Sequence, residues 1–184
     1  MNERYNTLYS ADEVNEQIAR IASEVIRDHK DDNPLFVGLL RGAAPFASKL
    51  MFEIAKQAPD MHPDLDYMMV STYSDSQHAH EPRIVTDLAP DTVVKDRTVI
   101  ILDDVLDKGI TAEFVTRHLV NMGAKAVKLC VLAQKQVVRV HDITPEYCGF
   151  DVGDEWVVGM GMDDAALAHE GNRWIEQILE IRRD

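Results

Sequence analysis

Two adjacent aspartates and the glycine-containing turn after them are the residues whose types and spacing most suggest chemistry. Asp103 and Asp104 follow the apolar run at residues 99–102, and residues 107–111 (DKGIT) come shortly after. A turn into a helix offers free backbone N–H groups to an anion, and its glycine permits close approach. Two carboxylates beside an anion are costly unless they bind hydroxyl groups or a cation. The pattern predicts a site for a sugar phosphate and a divalent metal ion; an ordinary acidic helix start is the alternative.

The elements that must position this segment alternate between strands and helices. Ser10 and Glu13 have the spacing of a capping box and begin an amphipathic helix, and residues 35–40 form the apolar run of a strand buried on both faces. The other predicted elements are helices over 45–56, from about 111 to Gly123 and over 172–182, and strands over 67–73, 99–102, 126–133 and 155–160. This alternation predicts an α/β fold with a largely parallel sheet, whose carboxyl edge carries the aspartates.

A polar stretch without periodicity, residues 74–90, is expected to be a long exposed loop. Loops of this length are usually functional or disordered. His78 and His80 lie in it, but no third metal ligand is evident in the sequence, so a solvated loop is preferred over a metal site.

The composition indicates a folded, acidic protein. The chain has 184 residues, 46% of them hydrophobic, and its formal charge is 19 − 32 = −13. This favours one domain with a real core and argues against nucleic-acid or anionic-membrane partners, which require a basic face. Cys130 and Cys148 are too few for a disulfide framework and are expected to be reduced core thiols. No leader or membrane-spanning run is evident, so we expect a cytoplasmic protein.

Residues 100–111, with the sequence IILDDVLDKGIT, resemble the phosphoribosyl pyrophosphate (PRPP) motif of the type I phosphoribosyltransferases. At position 107 the chain has aspartate, which makes the motif similar to that of the hypoxanthine-guanine branch. The pyrimidine-operon regulators of the same fold usually carry tyrosine at this position. Three further stretches fit that branch in the expected order: 39–43 is similar to its pyrophosphate loop, 71–73 to the start of its mobile lid, and 147–163 to its purine-binding end. The resemblance covers about residues 10–163.

The resemblance implies the type I phosphoribosyltransferase fold as a single domain over residues 1–184. That fold is a mostly parallel sheet flanked by helices, with a small hood built from the chain ends. Residues 74–90 would form a mobile lid loop, and residues 135–184 would supply the purine-binding hood elements. Relatives of this kind are homodimers or homotetramers.

The resemblance also implies roles for the residues of the motif. Asp103 and Asp104 would hold the ribose hydroxyls of PRPP, with Mg²⁺ bridging ribose and pyrophosphate, and Asp107 would be the catalytic base for the purine N7 proton. Residues 107–111 would bind the 5′-phosphate, and the pyrophosphate would meet a loop that begins with a cis peptide after Leu40. The implied PRPP-binding residues are Arg41, Gly42, Thr72, Tyr73, Asp103, Asp104, Asp107, Lys108, Gly109, Ile110 and Thr111.

The purine base has its own implied residues. Lys135 would donate to the 6-oxo group, Trp156 would stack on the base, and the carbonyl of Val157 would read its edge. Asp163 would bind a second Mg²⁺. Plainer alternatives stay open: Lys135 as a solvated cation at a strand end, Trp156 as a core residue, Asp163 as a helix start, and His118 as a structural histidine.

The chain departs from the family pattern at three positions. Lys108 stands where the family usually has threonine or serine, and Arg41 replaces a lysine of the pyrophosphate loop. His169 falls near the place of an arginine that contacts pyrophosphate, for which Arg173 is a candidate substitute. These changes bear on rate and base preference rather than on the class of reaction.

The sequence therefore predicts a Mg²⁺-dependent transferase that joins hypoxanthine or guanine to PRPP, with xanthine as a further candidate. A lysine at the 6-oxo group disfavours adenine. Two alternatives come from other classes: a regulator on the same fold that senses PRPP or binds RNA, and a metal-dependent phosphohydrolase that uses the aspartates. Release of pyrophosphate that depends on a purine separates the transferase from both.

Overall fold

Nine strands and three helices make up the part of the chain that this computed structural model describes, residues 4–71, 82–164, 166 and 171–182. In chain order they are β1 (Tyr5–Tyr9), α1 (Ala11–His29), β2 (Leu35–Leu40), α2 (Ala44–Gln57), β3 (Asp64–Ser71), β4 (Arg83–Thr86), β5 (Thr98–Leu106), α3 (Ile110–Asn121), β6 (Ala126–Lys135), β7 (Tyr147–Val152), β8 (Val157–Val158) and β9 (Ile178–Ile181). None of the helices in these ranges combines the length and hydropathy that a membrane-crossing helix needs.

The larger sheet has six strands in the order β4-β3-β2-β5-β6-β7, parallel except for β4. Its strands are buried on both faces because successive side chains point to opposite sides. Phe36 and Ile100 pack with α1 and α2 on one face, whereas Val37 and Ile101 pack with α3 on the other. The predicted α/β fold with a largely parallel sheet is confirmed.

The first helix begins where the capping box predicts. The Glu13 backbone N–H donates to the Ser10 hydroxyl, with N and Oγ 3.3 Å apart, and the Glu13 carboxylate accepts from the Ser10 backbone N–H at 2.8 Å. Both bonds satisfy groups that a helix end leaves without partners. They fix the point where the chain leaves β1 and enters the core.

A second, three-stranded antiparallel sheet in the order β1-β9-β8 forms the small hood expected from the chain ends. The predicted closing helix over 172–182 is wrong, because Ile178–Ile181 is the central strand β9 of this sheet. The apolar spacing of that segment suits a helix, but strand pairing with β1 and β8, which are distant in sequence, overrides local preference.

Other predicted boundaries also need correction. The expected loop over 74–90 contains strand β4, Arg83–Thr86, which pairs with β3, and residues 74–81 lie outside the described part. β8 covers only Val157–Val158 of the strand predicted over 155–160. β5 continues to Leu106, so the two aspartates lie within the strand instead of after it.

Both cysteines are free thiols, as predicted. Cys130 is fully buried in the core, and Cys148 is half-buried with its Sγ 3.4 Å from the Phe150 carbonyl oxygen. Burial raises the pKa of both thiols, that of Cys148 to about 11. They are therefore protonated at neutral pH and unreactive.

Candidate active site

The turn between β5 and α3 lies at the carboxyl edge of the parallel sheet. Asp107 and Lys108 are exposed, and Gly109 has a φ of +79°, a left-handed conformation that favours glycine. The Lys108 carbonyl accepts a hydrogen bond from the backbone N–H of Val140 at 3.0 Å. This hydrogen bond holds the turn against the loop that follows β6. Helix α3 begins at Ile110, so its first N–H groups lie at the same edge of the sheet.

The loop after β2 packs directly against the acidic end of β5. The peptide bond between Leu40 and Arg41 is cis, as the resemblance implies. A side chain at Gly42 would overlap the carboxylate of Asp104, and one at Gly161 would overlap the carbonyl oxygen of Gly42. Three segments that are distant in sequence therefore meet at Asp104, with no room for an extra carbon atom.

The two aspartates repel each other in a half-buried setting. Burial and then the charge of Asp104 raise the pKa of Asp103 well above its usual range. Burial also raises the pKa of Asp104, against hydrogen bonds from Val105 and Asp103 and the charge of Arg173. Backbone N–H groups donate to both carboxylates, that of Asp104 to Asp103 at 3.1 Å and that of Val105 to Asp104 at 2.8 Å.

This pair fits a divalent cation that also contacts a substrate. Mg²⁺ prefers oxygen ligands and is often held by one or two carboxylates plus substrate oxygens. A divalent cation held by these carboxylates would offset the repulsion that raises the pKa of Asp103. Among the described residues, no three His, Cys, Asp or Glu side chains are grouped to hold a metal ion. Substrate oxygens and water would supply further ligands.

Asp163 is placed in the same cleft as Asp104 but already has a cationic partner. An Arg173 Nη2 atom lies 3.2 Å from a carboxylate oxygen of Asp163, and the Arg173 guanidinium also donates to the carbonyl of Gly161. A second metal ion at Asp163 would therefore compete with this ion pair. Arg173 is buried, and no local pattern in the sequence indicates that these two residues meet.

Replacing Asp103 by asparagine is expected to stabilise the metal-free protein while it impairs a metal-dependent activity. The ionised form of an acid whose pKa is raised on folding costs stability, so the cost is absent below the unfolded pKa of about 4 and grows as pH rises above it. We expect a gain of about 1 kcal/mol near pH 7, or about 2–4 °C in Tm, and none near pH 3.5.

Thermal unfolding without divalent cations at both pH values measures this gain. Asp60→Asn, at an exposed carboxylate, serves as the control and is expected to change Tm by less than about 1 °C. A lower Tm for Asp103→Asn near pH 7 would contradict the proposed repulsion.

A cleft open to solvent joins the turn to the hood. Its lining residues are Asp104, Val105, Asp107, Lys135, Trp156, Val157, Met162 and Asp163. The structure thus brings the three predicted purine-binding residues together with Asp107 and Asp163.

Trp156 faces this cleft and is not part of the core. Its side chain is 55% exposed, and the ammonium of Lys135 lies 5.7 Å from the centroid of its ring. The indole N–H donates to the carbonyl oxygen of Asp163 at 3.3 Å, which fixes the ring against the hood. An exposed aromatic face beside a cation and a carbonyl group suits a flat, polar ring.

Several predicted residues are not placed with the cleft. Thr72, Tyr73, His78, His80 and His169 lie outside the described residues. His118, predicted to be structural, is away from the cleft residues, with its Nε2 atom 3.1 Å from the Asp87 carboxylate. Gly42 lies beside Asp104 in the loop after β2, and Arg41 precedes it, directly after the cis peptide bond.

The sequence missed the residue that secures this part of the hood. Asp164 is buried, and its carboxylate accepts from Arg4 Nε at 2.9 Å and from the Tyr5 hydroxyl at 2.8 Å. These contacts tie strand β1 to the segment that carries Asp163. They span about 160 residues, so no local pattern could predict them.

Comparison with known proteins gives consistent matches. Residues 5–165 match the family model described as the phosphoribosyl transferase domain. The chain is 33% identical over 159 residues to the hypoxanthine-guanine phosphoribosyltransferase of Bacillus subtilis, covering 86% of this chain and 84% of that protein. It is 34% identical over 157 residues to the Lactococcus lactis protein of the same name, covering 85% and 81%. Among solved structures, a hypoxanthine phosphoribosyltransferase from Staphylococcus aureus superposes with a TM-score of 0.85 at 26% identity, covering 96% of this chain and 91% of that one.

Proposed function

The chain belongs to the hypoxanthine-guanine phosphoribosyltransferase family, and from that premise we propose that it transfers the 5-phosphoribosyl group of PRPP to N9 of hypoxanthine or guanine. Pyrophosphate is the other product, and xanthine is a further candidate base. As a purine phosphoribosyltransferase, the enzyme acts in purine salvage. We also propose that it works in the cytoplasm as a homodimer or homotetramer, in keeping with the family.

The observation that carries this proposal is the cleft that has Asp107 on one side and Lys135 with Trp156 on the other. A planar base stacked on Trp156 would place its 6-oxo group toward the Lys135 ammonium. The Val157 carbonyl would accept from another ring edge. Asp107, the first residue of the turn, would then accept the proton of N7 as N9 forms its bond to the sugar.

The turn and the loop after β2 would bind the other substrate. Backbone N–H groups of residues 107–111 and the Thr111 hydroxyl would hold the 5′-phosphate, and Lys108 adds a positive charge there. Arg41 and Gly42 would contact the pyrophosphate. The packing of Gly42 against Asp104 supports this, because it places the loop beside one of the carboxylates that would hold the ribose hydroxyls.

Magnesium is proposed as the cofactor, held by Asp103 and Asp104 together with substrate oxygens. When bound, it would neutralise the charge that develops on the departing pyrophosphate. Asp163 is proposed as the ligand of a second Mg²⁺, which requires that its ion pair with Arg173 opens.

Oxopurines are expected to react at least about tenfold better than adenine, measured as kcat/KM. The reason is that the Lys135 ammonium can donate to a 6-oxo group but not to a 6-amino group. The measurement is release of nucleotide and pyrophosphate with PRPP and Mg²⁺, for hypoxanthine, guanine, xanthine and adenine in parallel.

Each outcome of this assay decides a different point. Equal rates with adenine would remove Lys135 from the proposed role. Phosphate release without any purine would indicate a phosphohydrolase, and RNA binding without turnover would indicate a regulator. Either of the last two results would overturn the transferase proposal.

A further inference from the structure

We propose that Asp151 is a positioning residue, which fixes the backbone of Lys135 so that the lysine ammonium faces the purine base. This inference rests on the proposed function, because it concerns the lysine assigned to the 6-oxo group. Asp151 lies on β7, outside the residues that line the cleft. It therefore acts through Lys135 and does not touch the substrate.

A single oxygen of Asp151 holds the two glutamines on either side of Lys135. The Nε2 atom of Gln134 donates to Asp151 Oδ1 at 2.7 Å, and that of Gln136 donates to the same oxygen at 2.8 Å. Side chains alternate across a strand, so the glutamines share one face and Lys135 occupies the other. The carboxylate thus clamps the strand end from the face opposite the cleft.

The backbone carries the same alignment past the end of β6. Gln134 is paired in register with Asp151, and Lys135 with Val152. The N–H of Gln136 donates to the carbonyl of Val152 at 2.8 Å, one residue beyond the last residue of the strand. Lys135 therefore stands between two residues whose main chains and side chains are both tied to β7.

The orientation of the Gln134 amide is set by a third residue. Arg139 donates from Nη2 to the Gln134 oxygen at 2.7 Å and from Nη1 to the carbonyl of Ile143 at 3.0 Å. A guanidinium can only donate, so the amide oxygen must face Arg139 and the amide nitrogen must face Asp151. Asp151 thus provides an acceptor for the amide nitrogen in the orientation that Arg139 sets.

Asp151 is itself held by the hood. The Tyr9 hydroxyl donates to the carbonyl oxygen of Asp151 at 3.1 Å, and the Tyr9 ring stacks on Phe150 with the ring centroids 3.9 Å apart. Tyr9 belongs to β1, so the contacts of Asp151 join the hood sheet to the edge of the central sheet. The base-binding lysine and the hood that carries Trp156 are positioned by one connected set of contacts.

The test is steady-state kinetics of Asp151→Ala and Asp151→Asn with hypoxanthine and PRPP as varied substrates. Alanine removes the acceptor, and we expect KM for hypoxanthine to rise about fivefold while kcat and KM for PRPP stay within about twofold. Asparagine keeps an oxygen acceptor and is expected to restore a KM within about twofold of the wild type.

A double-variant cycle with Lys135→Ala decides whether Asp151 acts through the lysine. In that background, Asp151→Ala is expected to leave KM for hypoxanthine unchanged. A further fivefold rise there, a parallel rise in KM for PRPP, or no rescue by asparagine would overturn the inference. An active wild type whose Asp151→Ala variant is indistinguishable from it overturns this inference alone, whereas a wild type that converts no purine overturns the proposed function.

Discussion

Replacing Asp107 by alanine is expected to lower kcat about 10²-fold or more, with only a modest change in the affinity for PRPP. General-base catalysis by a positioned side chain contributes about 10²–10⁴-fold, and alanine removes the group that would take the N7 proton. The backbone of the turn and the glycine at 109 remain, so the proposed phosphate site keeps its N–H donors. The measurement is kcat with hypoxanthine at saturating PRPP and Mg²⁺, beside KM for PRPP.

Two further variants make this result specific. Asp107→Asn keeps the shape of the side chain but cannot accept a full proton, so it is expected to lose nearly as much turnover as alanine. Asp142→Ala removes an exposed carboxylate from the loop that follows β6 and is expected to leave kcat unchanged. Unaltered turnover in Asp107→Ala would exclude Asp107 as the base, and a large rise in KM for PRPP alone would assign it to binding.

Replacing Gly161 by alanine is expected to damage both stability and activity. Gly161 has a φ of +114°, and a Cβ atom there would overlap the carbonyl of Gly42 and lie 3.1 Å from the Cβ of Asp104. Backbone cannot move aside as a flexible side chain can, so we expect the free energy of unfolding to fall by about 3 kcal/mol. The displaced Gly42 and Asp104 are expected to cost about 10²-fold in kcat.

Gly153→Ala is the matched control for this substitution. The atoms nearest to its added Cβ all belong to the end of the Glu155 side chain. This flexible group can rotate away at the cost of one exposed hydrogen bond from the Gly153 N–H, and the backbone of Gly153 is not left-handed. We expect unfolding in urea and kcat to stay close to the wild type. Wild-type behaviour of Gly161→Ala would contradict the close packing of the three segments at Asp104.

Local signals allowed much of the central sheet and half of the site to be predicted. Ser10 and Glu13 fix the start of a helix through contacts within one turn, and residues 107–111 combine a strand end, a glycine and a helix start in one stretch. The apolar run at residues 35–40 is buried whichever neighbours it pairs with. In each case a few consecutive residues determine the outcome.

The hood could not be predicted in the same way, because its contacts join residues far apart in the chain. The segment 172–182 has helical apolar spacing, and only pairing with β1 and β8 makes part of it a strand. Likewise, the sequence around Asp163 is compatible with a metal ligand or with a helix start. The ion pair between Asp163 and Arg173 forms only when the hood packs against β5. In the hood, the residue types indicated which groups could bind a ligand or a metal ion, but the tertiary fold determines which of these groups are in contact.

Because β1 pairs with β9, the two sheets form in a fixed order while the protein is being translated. The strands that support the turn at residues 107–111 are β2, β3, β5 and β6. They lie between residues 35 and 135, so they can pair before the rest of the chain has been translated. β1 must wait for β9, which is translated some 170 residues later. The side of the cleft proposed to recognise the base is therefore completed only after β9 has been translated, and a nascent chain that stops before β9 lacks it.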